Sequence, residues 1–329
     1  MTEKCADIFA VVKADAYGHG ARQVAKTLEN CGCKKFAVAG VYEAESLRKC
    51  GVNGEIAILG LCEDFRLAKE IDVRPLVYDE NTFSLAKKHD LPVYIKVNTG
   101  MNRLGFSKID EILCAVKSLN AVGIFTHLSS ADGDDTTSRR VTEAQIRCFK
   151  EIEKVVKNEK PVPFYAENSA GIIKYGGFFD GARVGIALYG VNPVAGDKTT
   201  LFPVMTLFAT IIQISSVKRG DFVGYSCGYF AKNDMRVAII SIGYADGLPR
   251  ALSNKGRVFY KGKFLKIVGR VSMDSVAVDL TDVDAKVMDE VVIFGDEITV
   301  TEVARRADTV PYEILTGVSE RVKRVYKNP

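Results

Sequence analysis

The sequence predicts an α/β fold: a (β/α)8 TIM-type barrel over residues 1–200, followed by a mostly β domain over residues 201–329. Three observations carry that expectation. Up to Gly190, short β-branched runs alternate with helix-patterned stretches across polar or Gly-rich turns. The runs are near-continuously apolar, as parallel strands covered on both faces are. After Gly190 the rhythm changes to strand-like runs joined by short Gly or Asp turns.

The strands of the first part are read at Ile8–Val12, Phe36–Val41, Glu55–Gly60, Arg74–Val77, Val93–Val97, Val122–Thr126, Phe164–Ala166 and Arg183–Leu188. Helical stretches such as Ala21–Asn30, Glu43–Lys49, Thr82–Lys88 and Glu143–Lys157 lie between them. Eight β-then-α units make a barrel; a doubly wound open sheet is the alternative, and it requires a reversal of strand order. Val191–Pro203 is turn-rich. Strands follow at Val204–Gln213, Val237–Ile242, Arg257–Tyr260, Phe264–Val268, Ser275–Leu280 and Glu290–Phe294, with a helix at Thr301–Asp308 and another near the end.

Composition narrows the function classes. The 329 residues are 47% hydrophobic and 26% charged, so an ordinary core forms without disulfides or metals. The net charge of +4 is small and dispersed, which argues against nucleic acid or an anionic membrane as partner. No apolar run approaches the ~18 residues of a membrane span. Met1–Phe9 contains Glu3, Lys4 and Asp7 and is not a secretory signal. The eight scattered cysteines are read as free, mostly buried thiols in a reducing compartment, which places the protein in the cytoplasm. Cys31-Gly32-Cys33 has no second ligand pair at zinc spacing and the chain has three histidines, so no metal site is expected.

Side chains just past the C-terminal ends of barrel strands face the active site. At those positions stand Lys13 to Gly20, Lys96 to Gly105, His127 to Asp132, Asn168 to Gly171, and Arg183. Each has an ordinary reading. A strand-end lysine is usually solvated, a lone histidine is usually hydrogen-bonded filler, and Asn168-Ser169-Ala170-Gly171 suits a helix cap. Arg183 inside an apolar run is harder to dismiss, because a guanidinium keeps its charge and needs an acceptor. All five groups fall at one end of the barrel. A ring of Lys, Tyr, Arg, His, Ser and Arg suits an anionic cofactor bearing a phosphate and an aldehyde.

These residues match a family. VVKADAYGHG at 11–20, KVNTGMNRLGF at 96–106, HLSSAD at 127–132, RVGIALYG at 183–190, SIGYADGLPR at 241–250, GRVSMD at 269–274 and PYEILTGVSERV at 311–322 resemble the bacterial alanine racemases, in the same order along nearly the whole chain. The resemblance implies a homodimer that uses pyridoxal 5′-phosphate (PLP) to interconvert L- and D-alanine by two bases, supplying D-alanine for peptidoglycan. Lys13 matches the lysine that forms the Schiff base with the cofactor and moves the α-proton on one face. A Schiff base needs a neutral amine, and nearby positive charge with partial desolvation favours one. Tyr244 matches the second base, supplied by the partner chain with Met273, whose backbone amide meets the substrate carboxylate beside Asp274. His127 supports that tyrosine, and Arg183 links to it and faces the pyridine nitrogen. An arginine there leaves the nitrogen unprotonated, which limits side reactions such as transamination.

The resemblance also places the phosphate near Tyr17, Ser169, Tyr312 and the backbone amides of Gly185 and Ile186, with Asn168 alongside. Arg103 matches the arginine near the cofactor phenolic oxygen and the substrate carboxylate. Lys96 matches a lysine carbamylated in some members. Two departures stand out. Asn98 replaces a common aspartate near Arg103. The family also carries a longer stretch before the lysine strand, so the expectation is either a misplaced start or a shortened form, the latter leaving the β domain an unpaired edge.

Other readings rank lower. Gly224-Tyr225-Ser226-Cys227-Gly228 fits a hydrolase nucleophile pattern, but no histidine follows residue 127 and the next run is a strand. A non-catalytic PLP-binding regulatory protein resembles the barrel alone. A decarboxylase of related architecture lacks support in its specificity residues. A serine racemase of the same family is the nearest alternative; Tyr312 fills a position where a smaller residue makes room for a hydroxymethyl group, which favours alanine.

Overall fold

The computed structural model describes residues 7–327. The chain divides into two compact units. The first holds the chain up to Ala16 and Gly20–Leu201; the second holds Tyr17–His19 and the chain from Phe202 onward. Cys5 and the first six residues of the Met1–Phe9 stretch lie outside the described residues.

In the first unit eight parallel strands close into a barrel in sequence order, and the open sheet is thereby excluded. The strands are β1 (Asp7–Val11), β2 (Lys35–Val38), β3 (Glu55–Ile58), β4 (Arg74–Val77), β5 (Pro92–Lys96), β6 (Asn120–Phe125), β7 (Phe164–Glu167) and β8 (Gly181–Val184). β8 returns to β1 with Arg183 opposite Phe9. A left-handed turn, α1 (Lys13–Tyr17), follows β1, and α2 (Ala21–Asn30), α3 (Val41–Lys49), α4 (Phe65–Glu70), α5 (Glu80–His89), α6 (Ile109–Ser118), α7 (Thr136–Lys157) and α8 (Ser169–Tyr175) complete the outer ring. The Asp79 and Thr82 side chains form a capping box at the start of α5.

Three sequence expectations are corrected here. Among the described cysteines only Cys62 is buried, so the free thiols are not mostly buried. The strand read through Leu188 ends at Val184, because Gly185 breaks the extended backbone and Ile186–Tyr189 coil into a 3-10 turn. An apolar run looks alike in both conformations. The run read through Val41 stops at Val38, where the chain turns and Val41 opens α3.

The barrel interior is an aromatic layer of Phe9, Tyr94, Phe125 and Tyr165 from β1, β5, β6 and β7. Tyr94 stacks on Phe125 at 4.2 Å, while Phe9 and Tyr165 meet their neighbours edge to face. Such pairs each add about 0.5–1.5 kcal/mol beyond the area they bury. Gly123 makes the stacking possible, since a Cβ there would lie 2.7 Å from the Tyr94 ring. Beneath the layer, at the N-terminal ends of the strands, the polar groups are paired. Lys35 reaches Asp7 at 2.7 Å and the Tyr165 hydroxyl at 3.2 Å, Tyr165 donates to Asp7 at 2.9 Å, and the Tyr94 hydroxyl donates to Glu55.

The second unit is antiparallel. Its six-stranded sheet runs β14 (Lys263–Lys266), β13 (Arg257–Tyr260), β16 (Glu290–Phe294), β9 (Leu207–Val217), β12 (Met235–Ile240), β15 (Val276–Asp279), and β10 (Phe222–Val223) pairs with β11 (Tyr229–Phe230). An isolated bridge from Ile267 to Val278 links the two end strands, and β14 bears the exposed Lys263 and Lys266, charges that discourage edge pairing. α9 (Val300–Ala307) and α10 (Pro311–Gly317) follow, the first capped by Thr299 and the second opened by proline. Ser226 sits in a 3-10 turn between two short strands, not in a strand–turn–helix elbow. Among the described residues no helix is long and apolar enough to cross a membrane.

Candidate active site

Lys13 stands where β1 gives way to α1. Ala14, Asp15, Ala16 and Tyr17 all take positive φ between 51° and 53°, an arrangement that costs L-residues roughly 1–2 kcal/mol each. Side chains hold it in place. Glu43 accepts the Ala14 N–H at 2.8 Å and the Ala39 N–H at 2.7 Å, and Asp15 accepts the Ala21 N–H at 2.7 Å. Burial, together with the Arg103 charge, lowers the Lys13 pKa from the ordinary amine range, with Glu43 opposing. The amine is pushed toward the neutral form that nucleophilic attack requires.

Around it gathers a set of cations. Lys96 is 9% exposed, and burial, then Arg183 and Arg103, hold its pKa well below normal. His127 is held well below the imidazole range by burial and by Arg183, Lys96, Arg103 and Lys13. Arg183 is buried and its pKa falls to about 10 through desolvation, so it remains protonated at neutral pH. Its guanidinium donates to the carbonyls of Tyr165 (2.8 Å), Thr126 (2.5 Å) and Ala166 (3.0 Å), and lies 4.9 Å from the Phe125 ring centre. The acceptors that its charge demands are thus backbone carbonyls at the ends of β6 and β7. Its expected link to His127 is one of electrostatic proximity.

The expected phosphate site is built in part by α8. Ser169 Oγ accepts the N–H of Gly185 at 3.0 Å and of Ala187 at 3.4 Å. With both lone pairs engaged, its hydroxyl proton is left to point at an acceptor. Asn168 is the N-cap: its oxygen accepts the Gly171 N–H at 2.8 Å and its amide donates to Leu128 O at 3.1 Å. A cation-rich mouth, a lysine driven toward neutrality and a serine aimed by two amides fit an anionic aldehyde cofactor.

Several residues that arrange this end are not evident as site residues in the sequence. Gln145, buried on α7, accepts from the Ser129 N–H and hydroxyl and donates to His127 O and Thr99 Oγ1. A glutamine in the buried stripe of an amphipathic helix is the signal that could have found it. Asn98 does not reach Arg103 directly; it accepts the N–H groups of Gly100 and Asn102 and bonds Ser107, bracing the loop that carries Arg103. Glu167 is buried, with Oε1 accepting the Phe178 N–H at 2.8 Å and burial raising its pKa.

The second unit brings together the remaining motif residues in two groups. The Tyr17 and Tyr312 rings lie 6.0 Å apart, and burial, with Tyr312 nearby, pushes the Tyr17 phenol up. Tyr244 is 45% exposed on a loop whose backbone meets the Met273 loop: Tyr244 N–H donates to Ser272 O and Ala245 N–H to Met273 O, both at 3.0 Å. Asp274 is engaged by Arg321 at 2.8 Å.

Known proteins resemble this chain along nearly its whole length. The family described as the alanine racemase N-terminal domain matches residues 1–193, and the alanine racemase C-terminal domain matches residues 204–326. Alanine racemase from Aquifex aeolicus is 38% identical over 321 residues, covering 97% of this chain and 91% of that protein. The structure of alanine racemase from Clostridium difficile 630 superposes with a TM-score of 0.91 at 32% identity, over 99% of this chain and 90% of that one. Alanine racemase from Bartonella henselae, solved with covalently bound pyridoxal phosphate, gives 0.89 at 34% identity, over 98% of this chain and 93% of that one. With a barrel mouth of the required chemistry and both domains matched along their length, the chain belongs to the alanine racemase family.

Proposed function

We propose that this protein is a PLP-dependent alanine racemase, an isomerase of amino acids that supplies D-alanine for peptidoglycan from the cytoplasm. The observation that carries the reading is the Lys13 amine, driven toward neutrality among Arg103, Lys96, His127 and Arg183. Bound there, the cofactor withdraws electrons from the substrate α-carbon and acidifies its α-proton.

The chain's own groups do the rest. Lys13 would hold the cofactor through its amine and would move the α-proton on one face. Tyr244 and Met273 come from the partner subunit of a homodimer, Tyr244 serving the opposite face and the Met273 amide meeting the substrate carboxylate near Asp274. Racemisation needs both groups, because one base alone returns the proton to the face it left. A phenol is a weak base at neutral pH, and His127, kept neutral by burial and its cationic neighbours, supports it through Arg183. Arg183 stays charged and would meet the cofactor's ring nitrogen only as a donor, which would disfavour protonation there. Tyr17, Tyr312, the Ser169 hydroxyl and the amide of Ile186 would receive the phosphate, with the expected Gly185 amide turned instead to Ser169 Oγ and Asn168 fixing the start of α8. Arg103 orients the substrate carboxylate. Carbamylation of Lys96 turns that cation into an anion facing Arg103 and Arg183.

The direct test is a visible spectrum of the purified protein with PLP, followed by a D-/L-alanine interconversion assay. A new absorbance band with racemisation supports the reading. The band with no racemisation of either alanine or serine overturns it in favour of a regulatory protein.

A further inference from the structure

Tyr244 and Met273 lie on different loops, yet a two-base reaction fixes where both must stand against one substrate. Their backbones are joined by the Tyr244–Ser272 and Ala245–Met273 hydrogen bonds, each 3.0 Å. The close approach depends on Gly243, where a Cβ would fall 2.2 Å from the Met273 carbonyl oxygen. The remaining links between the two loops are made by charge. Arg321 places Nε 3.3 Å from Asp246 Oδ1 and Nη2 2.8 Å from Asp274 Oδ1. Asp246 Oδ2 turns back to accept the Gly243 N–H at 2.9 Å, and its carbonyl accepts the Ser319 N–H at 3.2 Å, two residues before Arg321. One guanidinium fork therefore spans the residue two past Tyr244 and the residue after Met273.

We infer that Arg321 is the positioning residue that sets the Tyr244 phenol against the Met273 amide, by tying Asp246 to Asp274. The inference rests on the reading of Tyr244 and Met273 proposed above. Arg321 and Asp274 are 53% and 62% exposed, so that arm contributes little to folding, while Asp246 is 13% exposed. What a fork offers here is geometry. A lysine is a point charge and does not address two carboxylates from two fixed nitrogens.

The test compares holoenzyme carrying Arg321→Ala, Arg321→Lys or Tyr244→Phe with the parent. L- and D-alanine are equal in energy, so kcat/KM is the same in both directions for any variant. The informative readout is the pair of primary α-deuterium isotope effects, one for each enantiomer, measured with kcat, KM and the visible band of bound PLP. Tyr244→Phe should raise the isotope effect for one enantiomer more than for the other. Arg321→Ala should reproduce that asymmetry and lower kcat by about 10- to 100-fold, the scale of an ångström-sized misplacement. Arg321→Lys should fall between, and it carries the test if the alanine variant does not fold. An asymmetry in Tyr244→Phe with none in the Arg321 variants overturns the positioning role. No asymmetry in Tyr244→Phe itself overturns the two-base reading, and this inference with it.

Discussion

The two ends of the barrel interior face the same aromatic layer and are built on opposite principles. At the N-terminal end, Lys35 has Asp7 and Tyr165, and Tyr94 has Glu55. At the C-terminal end, Lys13, Lys96, Arg103, Arg183 and His127 crowd together, and burial with mutual repulsion lowers the pKa of Lys13, Lys96, His127 and Arg183. One end closes its electrostatics internally. The other keeps Arg183 charged and pushes Lys13, Lys96 and His127 toward their neutral forms. The contrast locates the working end of a barrel without reference to any motif.

Lys13→Ala is the sharpest cut at that contrast. It should remove the PLP absorbance band and lower racemisation by more than ~1000-fold, as loss of a covalent anchor and a base together implies. Retained turnover by this variant would refute the lysine assignment.

The pH response should be one-sided. His127 is held neutral in the fold, with a pKa below its unfolded value of about 6.5. As pH falls through that unfolded value, the unfolded chain takes up a proton that the folded chain refuses. Stability should then fall toward acid, by up to about 1.4 kcal/mol per pH unit from this group. Denaturant unfolding of the apoprotein between pH 8 and 5 should show the drop, and His127→Gln should make it shallower. The two proteins running parallel throughout would break the comparison.

Charge removal at the two ends should act with opposite sign. Lys96→Met removes a buried cation among cations, and should raise the apoprotein melting temperature by about 3 °C while lowering kcat. Lys35→Met loses the Asp7 partner and the faces of Phe9 and Tyr165, and should lower stability by about 1 kcal/mol with kcat intact. Calorimetry and initial rates on both variants settle the matter; the same sign for both refutes the contrast.

Much of this is legible in the sequence because repetition is legible. Eight apolar runs point to the barrel, the places where they stop point to Lys13, His127 and Ser169, and a charge inside the last run points to Arg183. What escapes is anything whose role is set by distant partners. Glu43 and Gln145 look like ordinary helical polar residues until the fold brings Ala14, Ser129 and Thr99 to them. Arg321 sits within a recognisable motif, but its two carboxylates lie 47 and 75 positions earlier in the chain, at Asp274 and Asp246. The start of α7 is hidden for a different reason. Thr136-Thr137-Ser138-Arg139-Arg140 offers no apolar periodicity, and the helix begins there because Asp135 accepts the Ser138 N–H.

The turn that delivers Lys13 has a consequence for chirality. Ala14 to Tyr17 follow a path that mirror-image residues adopt without strain. Chemical ligation of a segment with D-alanine at positions 14 and 16 should therefore raise stability by about 1 kcal/mol per residue, provided the mirrored Cβ atoms find room. A lysine-bearing segment written in L-residues but folded for the opposite hand is one that ordinary substitution relieves only with glycine.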